Sequence, residues 1–182
     1  MIYEDKRIPL KNGLSCLLRS PTAEDAEGML RYLRQSSEET DFMARYSDEV
    51  TTTLEDERLI LSDILSDPKK IMIAAFIDGQ LVANIGLSKM GLHERESHRA
   101  AFGMSIIKAY WGIGLGSVLL SALLESAEIM GYEQLELEVV AENARALALY
   151  GKFGFLRFGT RPDTFKYRDG RYCSCHLMFK KV

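Results

Sequence analysis

The sequence has few of the residues that mark domain linkers or disulfide frameworks. Only four prolines and three cysteines occur in 182 residues, and no repeat, low-complexity tract or proline-rich stretch interrupts the chain. We therefore predict one domain, residues 1–182, which is long enough to bury a full core. The cysteine number is odd, and Cys173 and Cys175 lie at strand spacing. These features favour packing over redox or metal roles for Cys16, Cys173 and Cys175.

The chain also lacks a strong charge of either sign. Its net charge of −3 gives no general attraction for nucleic acid or an anionic membrane, so we expect neither as a partner. Residues 1–7 carry two acids, and no apolar stretch follows them. This start predicts neither a secretory signal nor a membrane anchor, and therefore a cytoplasmic protein.

The pattern of apolar residues predicts a mixed α/β chain in the order β-α-α-β-β-β-α-β-α-β-β. Asp78-Gly79 and Asp169-Gly170 are two-residue hairpin signals, so the runs beside each should pair antiparallel. The expected strands are 14–19, 71–77, 80–89, 99–107 and 134–140, with a closing hairpin over 156–179. The expected helices are 22–35, 54–65, 117–130 and 143–153.

The most informative motif is the glycine turn, Trp111-Gly-Ile-Gly-Leu-Gly-Ser117. Glycine on alternate positions lets the backbone approach a ligand closely and adopt φ values closed to other residues. A helix-like run follows at once, so the amides lie at a helix N-terminus, where an anion such as a diphosphate is favoured. Considered alone, the pattern fits a phosphate site and a tight structural turn about equally.

Motifs further along the chain add context to this turn. Val139-Val140 end a strand, the helix that follows runs from Asn143 to Tyr150 and beyond, and Gly154-Phe155 come after it. The glycine turn, this strand and this helix, in this order, resemble the GNAT superfamily of acyl-CoA-dependent N-acyltransferases. The resemblance spans roughly residues 71–158, and the closing hairpin also fits. It implies an α/β (α+β) fold with a mixed, mostly antiparallel central sheet flanked by helices.

The resemblance also implies an activity: transfer of the acetyl group of acetyl-CoA to a primary amine of a small molecule or peptide, by direct attack in a ternary complex. Turn amides would bind the coenzyme A pyrophosphate, and the preceding strand would bind the pantetheine arm. Tyr150 would protonate the leaving thiolate. No metal is implied. The implied cofactor-binding residues are Met104, Ser105, Ile106, Gly112, Ile113, Gly114, Leu115, Gly116, Ser117 and Asn143.

Two positions depart from the family pattern. Trp111 stands where the family turn commonly begins with Gln or Arg, and Ala100 stands where some members have a glutamate base. No general base is therefore inherited. A water chain, or His98 two residues from Ala100, would take the amine proton, and we rank water first. We assign no metal to His93 and His98, because their loop is polar and of mixed charge.

The acceptor is not identified by these motifs. Residues 38–57 carry eight acids against one arginine, Arg45. This segment is interpreted either as solvated charge or as a surface that attracts a cationic amine such as a polyamine. The closing hairpin offers a strand edge and aromatic surface suited to homodimerisation.

Two alternatives from other classes stay open. Trp111 and the absent base are compatible with a non-catalytic acyl-CoA-binding sensor or partner module. The glycine turn also fits a dinucleotide site in a doubly wound domain, which requires a parallel sheet built from repeated βαβ units.

Overall fold

A computed structural model describes residues 1–182 and shows an eight-stranded sheet with helices on both faces. The strands are β1 (Lys6–Pro9), β2 (Ser15–Arg19), β3 (Lys70–Ile77), β4 (Gln80–Lys89), β5 (Arg99–Ile106), β6 (Gln134–Val140), β7 (Leu156–Lys166) and β8 (Tyr172–Lys181). The helices are α1 (Ala26–Glu38), α2 (Leu54–Ser66), α3 (Leu115–Ile129) and α4 (Ala144–Lys152).

The strand order is β1-β2-β3-β4-β5-β6-β8-β7. Every neighbouring pair is antiparallel except β5 and β6, which run parallel. The predicted mixed, mostly antiparallel sheet is therefore confirmed. One parallel pair does not make a doubly wound sheet, so the dinucleotide-domain alternative is wrong.

Turn and cap residues in the sequence predicted most of the helices and strands correctly. Asp78 and Gly79 have φ values of 49° and 78°, as a two-residue hairpin turn requires, and β3 pairs with β4 across them. The Asn143 side chain accepts a hydrogen bond from the Ala146 amide at 3.1 Å and begins α4. Helix α3 begins at Leu115, two residues before the predicted start.

Strand β1 was missed by the sequence analysis. It has only four residues, two of them charged and one a proline, and only Ile8 is even half-buried. Its pairing with β2 makes it the outer strand of the sheet, where a proline is tolerated and no apolar pattern is needed. A prediction based on hydrophobic alternation has no signal for such a strand.

The main core lies between the sheet and its helices. It joins buried residues of all central strands to α1, α2 and α3, including Met29, Leu61, Ile85 and Leu120. Cys16, Cys173 and Cys175 are buried free thiols, as the packing interpretation predicted.

An ion pair ties β5 to β6 where the two strands begin. Arg99 Nε donates to Glu136 Oε1 at 2.6 Å, and Gln134 Nε2 donates to the same oxygen at 2.7 Å. The bond from Arg99 holds the pKa of Glu136 below its usual value, against the burial that raises it. A lowered folded-state pKa stabilises the fold above the unfolded value of about 4.3, and this stabilisation is lost as pH falls through the folded value.

We therefore expect Glu136→Gln to flatten the fall in unfolding free energy with pH below about pH 4.3. Urea unfolding at a series of pH values checks this. Glu138→Gln, at the exposed position on the same strand, is the matched control. An identical pH slope in Glu136→Gln and the wild type would contradict the assignment.

Candidate active site

The site lies where β5 and β6 separate. Their pairing covers only Arg99–Ala101 with Gln134–Glu136, whereas β4 stays paired with β5 as far as Ile106 and β8 stays paired with β6 as far as Val140. The segments Phe102–Ile106 and Leu137–Val140 therefore face each other across an opening without hydrogen-bonding as strands. We call this opening the wedge.

Backbone polar groups of β5 point into the wedge. Ile107 N–H donates to Val82 O, so the odd-numbered residues of β5 bond to β4. Because N–H and C=O groups alternate sides along a strand, those of Met104 and Ile106 face the wedge. Of the three predicted arm-binding residues, Met104 and Ile106 thus offer main-chain groups there, and Ser105 does not.

Ser105 instead joins a buried network on the other side. The Tyr32 hydroxyl of α1 donates to Ser105 O at 2.7 Å and lies against Ser105 Oγ, and the Asn84 amide donates to the Tyr32 oxygen at 3.2 Å. Tyr32 is only 1% exposed, and burial raises its pKa. Sequence reasoning missed this role because Tyr32 falls on the apolar stripe of α1.

The glycine turn connects β5 to α3 beside the wedge. Gly112 and Gly114 have φ values of 80° and 92°, in the region that favours glycine. The amides from Gly112 to Gly116 donate none of the backbone hydrogen bonds, and an added Cβ at Gly112 would meet no atom within 4 Å. A run of free amides thus lies at the N-terminus of α3, an arrangement suited to a phosphate.

Gly116 brings the other predicted elements together. A Cβ there would lie 3.1 Å from Leu149 Cδ2 of α4 and 3.5 Å from Ile106 Cδ1 of β5. The start of α3, the end of β5 and α4 therefore converge at Gly116, where a larger residue would require Leu149 to shift. The structure thus brings the predicted turn and the predicted tyrosine helix to the same side of the sheet.

Tyr150 of α4 lies over the start of the wedge. Its ring packs 5.9 Å from both Phe102 and Phe155, and the residue is 6% exposed. Burial raises the pKa of Tyr150 to about 12, and no hydrogen bond from the protein contributes to that shift. The hydroxyl therefore keeps its proton at neutral pH and has that proton free to donate.

Trp111 stands where the family commonly has Gln or Arg, and its side chain makes a different contact. Its indole Nε1 donates to Ile106 O at 2.7 Å, which satisfies one of the carbonyls that face the wedge. The Arg145 guanidinium stacks over the Trp111 ring at 4.3 Å from its centroid. A positive charge supplied by α4 thus lies beside the glycine turn, and the sequence motif gave no indication of it.

His98 is distant from this arrangement. It precedes β5 at the paired end, and its carbonyl accepts from Glu133 and Gln134. Six residues of extended chain separate it from Met104, a distance of about 20 Å. No group of three or more His, Cys, Asp or Glu side chains is arranged to hold a metal ion.

The acidic segment between α1 and α2 is largely paired within the protein. Asp48 accepts two hydrogen bonds from Arg168, at 2.7 and 2.9 Å, and Asp41 lies 3.4 Å from Arg171. Glu39 accepts from the Lys108 amide at 2.6 Å. The tip of the β7–β8 hairpin is therefore held against this segment.

A splayed parallel pair, a glycine turn on a helix N-terminus and a buried tyrosine define the class of acyl-CoA-dependent N-acyltransferases. Residues 28–155 match the family model described as the acetyltransferase (GNAT) family. The chain belongs to that family.

Known relatives agree with this membership. The chain is 37% identical over 89 residues to N-alpha-acetyltransferase MAK3 of Arabidopsis thaliana, covering 48% of this chain and 46% of the relative. It is 29% identical over 107 residues to L-amino acid N-acetyltransferase AaaT of Escherichia coli, covering 58% and 65%. The matches thus span about half to two thirds of these curated relatives.

A solved structure shows the same fold over nearly the whole chain. The GNAT-family acetyltransferase of Streptococcus pneumoniae superposes with a TM-score of 0.87 at 29% identity, covering 92% of this chain and 99% of that one. In the present chain, none of the helices has the length and apolar character needed to cross a membrane.

Proposed function

We propose that residues 1–182 form one catalytic domain, which transfers the acetyl group of acetyl-CoA to a primary amine of a small molecule or peptide. The observation that carries this is the convergence of free turn amides, free β5 backbone groups and the Tyr150 hydroxyl around one opening. Family membership supports the same assignment.

The cosubstrate would be held mainly by main-chain groups. The amides from Gly112 to Gly116 would bind the pyrophosphate. The main-chain groups of Met104 that face the wedge, and the Ile106 N–H, would bind the pantetheine arm, since Trp111 Nε1 already donates to Ile106 O. Asn143 begins α4 and thereby sets the position of Tyr150. The family resemblance implied that Ser105 binds the pantetheine arm. We do not assign it that role, because its main-chain groups face β4 and its hydroxyl contacts Tyr32.

The chemistry would be direct aminolysis. A neutral amine attacks the thioester carbonyl carbon, the C–N bond forms, and strand N–H groups near Ile106 stabilise the oxyanion. The C–S bond then breaks, and Tyr150 gives its proton to the leaving thiolate. Water takes the proton of the attacking amine and restores that of Tyr150. The placement of His98, about 20 Å from Met104, supports the choice of water.

Arg145 would add a charge contact to the phosphates. An exposed ion pair contributes up to about 1 kcal/mol, so Arg145→Gln should weaken acetyl-CoA binding about five-fold at low salt and less at high salt. Calorimetric titration at two salt concentrations checks this, with Lys152→Gln at the other end of α4 as the matched control. Equal losses in the two variants would remove the specific role of Arg145.

A free-thiol assay tests the proposed function. The protein is incubated with acetyl-CoA and a panel of amino acids, their carboxamides, polyamines and short peptides, and acetylated products are identified by mass. Thiol release that depends on an amine supports the proposal. Binding of acetyl-CoA without release for any amine would favour the non-catalytic alternative.

A further inference from the structure

Ser105 of β5 has a hydroxyl whose oxygen can accept a hydrogen bond on the face of the sheet that carries α1. The Tyr32 hydroxyl of α1 donates to the Ser105 carbonyl oxygen at 2.7 Å and also contacts Ser105 Oγ. A carbonyl can only accept, so the single proton of Tyr32 is used there, and the contact with Oγ is a hydrogen bond only if Ser105 donates it. With its proton directed to Tyr32, Ser105 Oγ keeps its lone pairs for a donor from outside the protein.

This arrangement is held from inside the protein. The Asn84 amide of β4 donates to the Tyr32 oxygen at 3.2 Å, and Asn84 is the register partner of Ser105. Tyr32 is buried, whereas Ser105 is only half-buried. A buried hydroxyl whose hydrogen bonds are all satisfied has one preferred orientation. Tyr32 therefore sets the direction of the Ser105 proton, while the Ser105 oxygen stays within reach of a ligand.

The chemistry of a thioester determines the side from which an amine can attack it. Main-chain groups of Met104 and Ile106 would bind the cosubstrate as one strand binds its neighbour, so the thioester carbonyl lies near the plane of the sheet. A nucleophile attacks a carbonyl carbon from above or below the carbonyl plane. The amine must therefore reach the wedge from one of the two faces of the sheet.

One of these faces is closed by α3 and α4. Ile106 Cδ1 lies 3.5 Å from the Cβ position of Gly116, and the Phe102 ring packs 5.9 Å from that of Tyr150. Side chains alternate along a strand, so Ser105 faces the opposite side, where α1 lies. The amine would therefore arrive on the side of the sheet to which Ser105 Oγ points.

Gly103 leaves this side of β5 open beside Ser105. The residue is exposed, and an added Cβ would meet no atom within 4 Å. Its backbone belongs to the extended strand, so its conformation does not require glycine. Glycine within a strand lowers stability and often marks a place where a ligand approaches the backbone closely. Gly103 thus gives an amine room to approach the wedge next to Ser105.

We propose that the attacking amine passes over Gly103 and donates one N–H to Ser105 Oγ, with Tyr32 as the positioning residue that keeps this oxygen an acceptor. The inference rests on the proposed acetyl transfer and adds the residue that holds its acceptor. The bond uses one N–H of a neutral primary amine and leaves the lone pair for the thioester carbon. Ser105 keeps its own proton throughout, and water takes the proton that the amine loses.

The first test removes the hydroxyl. Ser105→Ala should lower kcat/KM for the amine about three- to ten-fold, the range for one lost hydrogen bond, and should leave the dissociation constant of acetyl-CoA unchanged. Ser88→Ala, at an exposed serine on the same face of β4, is the matched control and should change neither. Thiol release and calorimetric titration measure the two quantities. Wild-type use of every amine by Ser105→Ala, or an equal loss of acetyl-CoA affinity, would overturn the proposal.

A double-mutant cycle tests the part assigned to Tyr32. Tyr32→Phe should lower kcat/KM for the amine about three-fold, because Ser105 is then free to turn its proton toward the amine. In the Ser105→Ala background the same change should have no further effect on the amine. Losses that multiply independently would make Tyr32 a structural residue and overturn its role in positioning Ser105.

A methyl group at Gly103 tests the approach path. Gly103→Ala should lower kcat/KM for the amine about 10- to 100-fold, because a small displacement of a reacting group is costly. Gly86→Ala is the matched control, since Gly86 is the register partner of Gly103 on β4 and an added Cβ there would lie 3.8 Å from its nearest neighbours. Equal effects of the two substitutions would contradict the path over Gly103.

A binding measurement separates this inference from the proposed function. If no amine releases thiol, acetyl transfer has failed, and the same amines are then titrated into protein saturated with coenzyme A. Binding of an amine that is weakened in Ser105→Ala and Gly103→Ala, and retained in Gly86→Ala, supports the site. No binding of any amine, or equal binding by the wild type and all the variants, contradicts it.

Discussion

Tyr150→Phe is expected to reduce turnover by about 10²- to 10⁴-fold, the range typical of a lost general acid, and to leave the affinity for acetyl-CoA unchanged. The packing of Tyr150 explains why turnover should fall while affinity stays the same. The ring packs against Phe102 and Phe155, which phenylalanine preserves. The hydroxyl, whose proton the leaving thiolate needs, is the only group removed. Stopped-time thiol release and calorimetric titration of acetyl-CoA measure the two quantities separately.

The pH profile gives a second readout for Tyr150. Because burial raises its pKa to about 12, the wild type should keep its acid protonated throughout the neutral and mildly alkaline range. Turnover should therefore show no loss from this group below about pH 10, the ordinary pKa of tyrosine. Urea unfolding should give Tyr150→Phe the stability of the wild type. A variant that folds, binds and turns over at the wild-type rate would remove the acid from this position.

Gly112→Val is expected to weaken acetyl-CoA binding by at least 30-fold. Gly112 has a φ of 80°, and its Cα faces open space beside the free amides of the glycine turn. A β-branched side chain there disfavours the backbone conformation by about 1–2 kcal/mol and projects into the space that a diphosphate needs. Titration with acetyl-CoA measures the loss.

Gly131→Val is the matched control for this substitution. Gly131 has a φ of 77° and equally open surroundings, but it follows the C-terminal end of α3, at the opposite end of that helix from the glycine turn. Both variants should lose similar unfolding free energy, and only Gly112→Val should lose affinity. If both lost affinity equally, general destabilisation would explain the effect and the glycine turn would not be the phosphate site.

The sequence predicted the turns and helix starts that a few neighbouring residues encode. Asp78-Gly79 determined a hairpin, and Asn143 determined the start of α4, because a turn or a cap needs only a few consecutive residues. The glycine turn and Tyr150 could be linked only through the family resemblance. Their convergence depends on the contact of Gly116 with α4 and β5, which no local pattern encodes.

Features that depend on contacts between distant segments were not predictable. The side of β5 to which Ser105 turns is set by its register with β4 and by Tyr32, 73 residues away. The composition of the acid-rich segment left solvated charge and a cation-attracting surface both open, and it gave no sign that Asp48 pairs with Arg168 of the closing hairpin, 120 residues further on.

Calorimetric titration with acetyl-CoA, with NAD and ATP as controls, tests the central claim most directly. The account predicts saturable binding of one acetyl-CoA per chain, weakened at least 30-fold in Gly112→Val, retained in Gly131→Val and not reproduced by NAD or ATP. Absence of acetyl-CoA binding by the folded wild-type protein would contradict the assignment of the wedge and the glycine turn as a coenzyme A site.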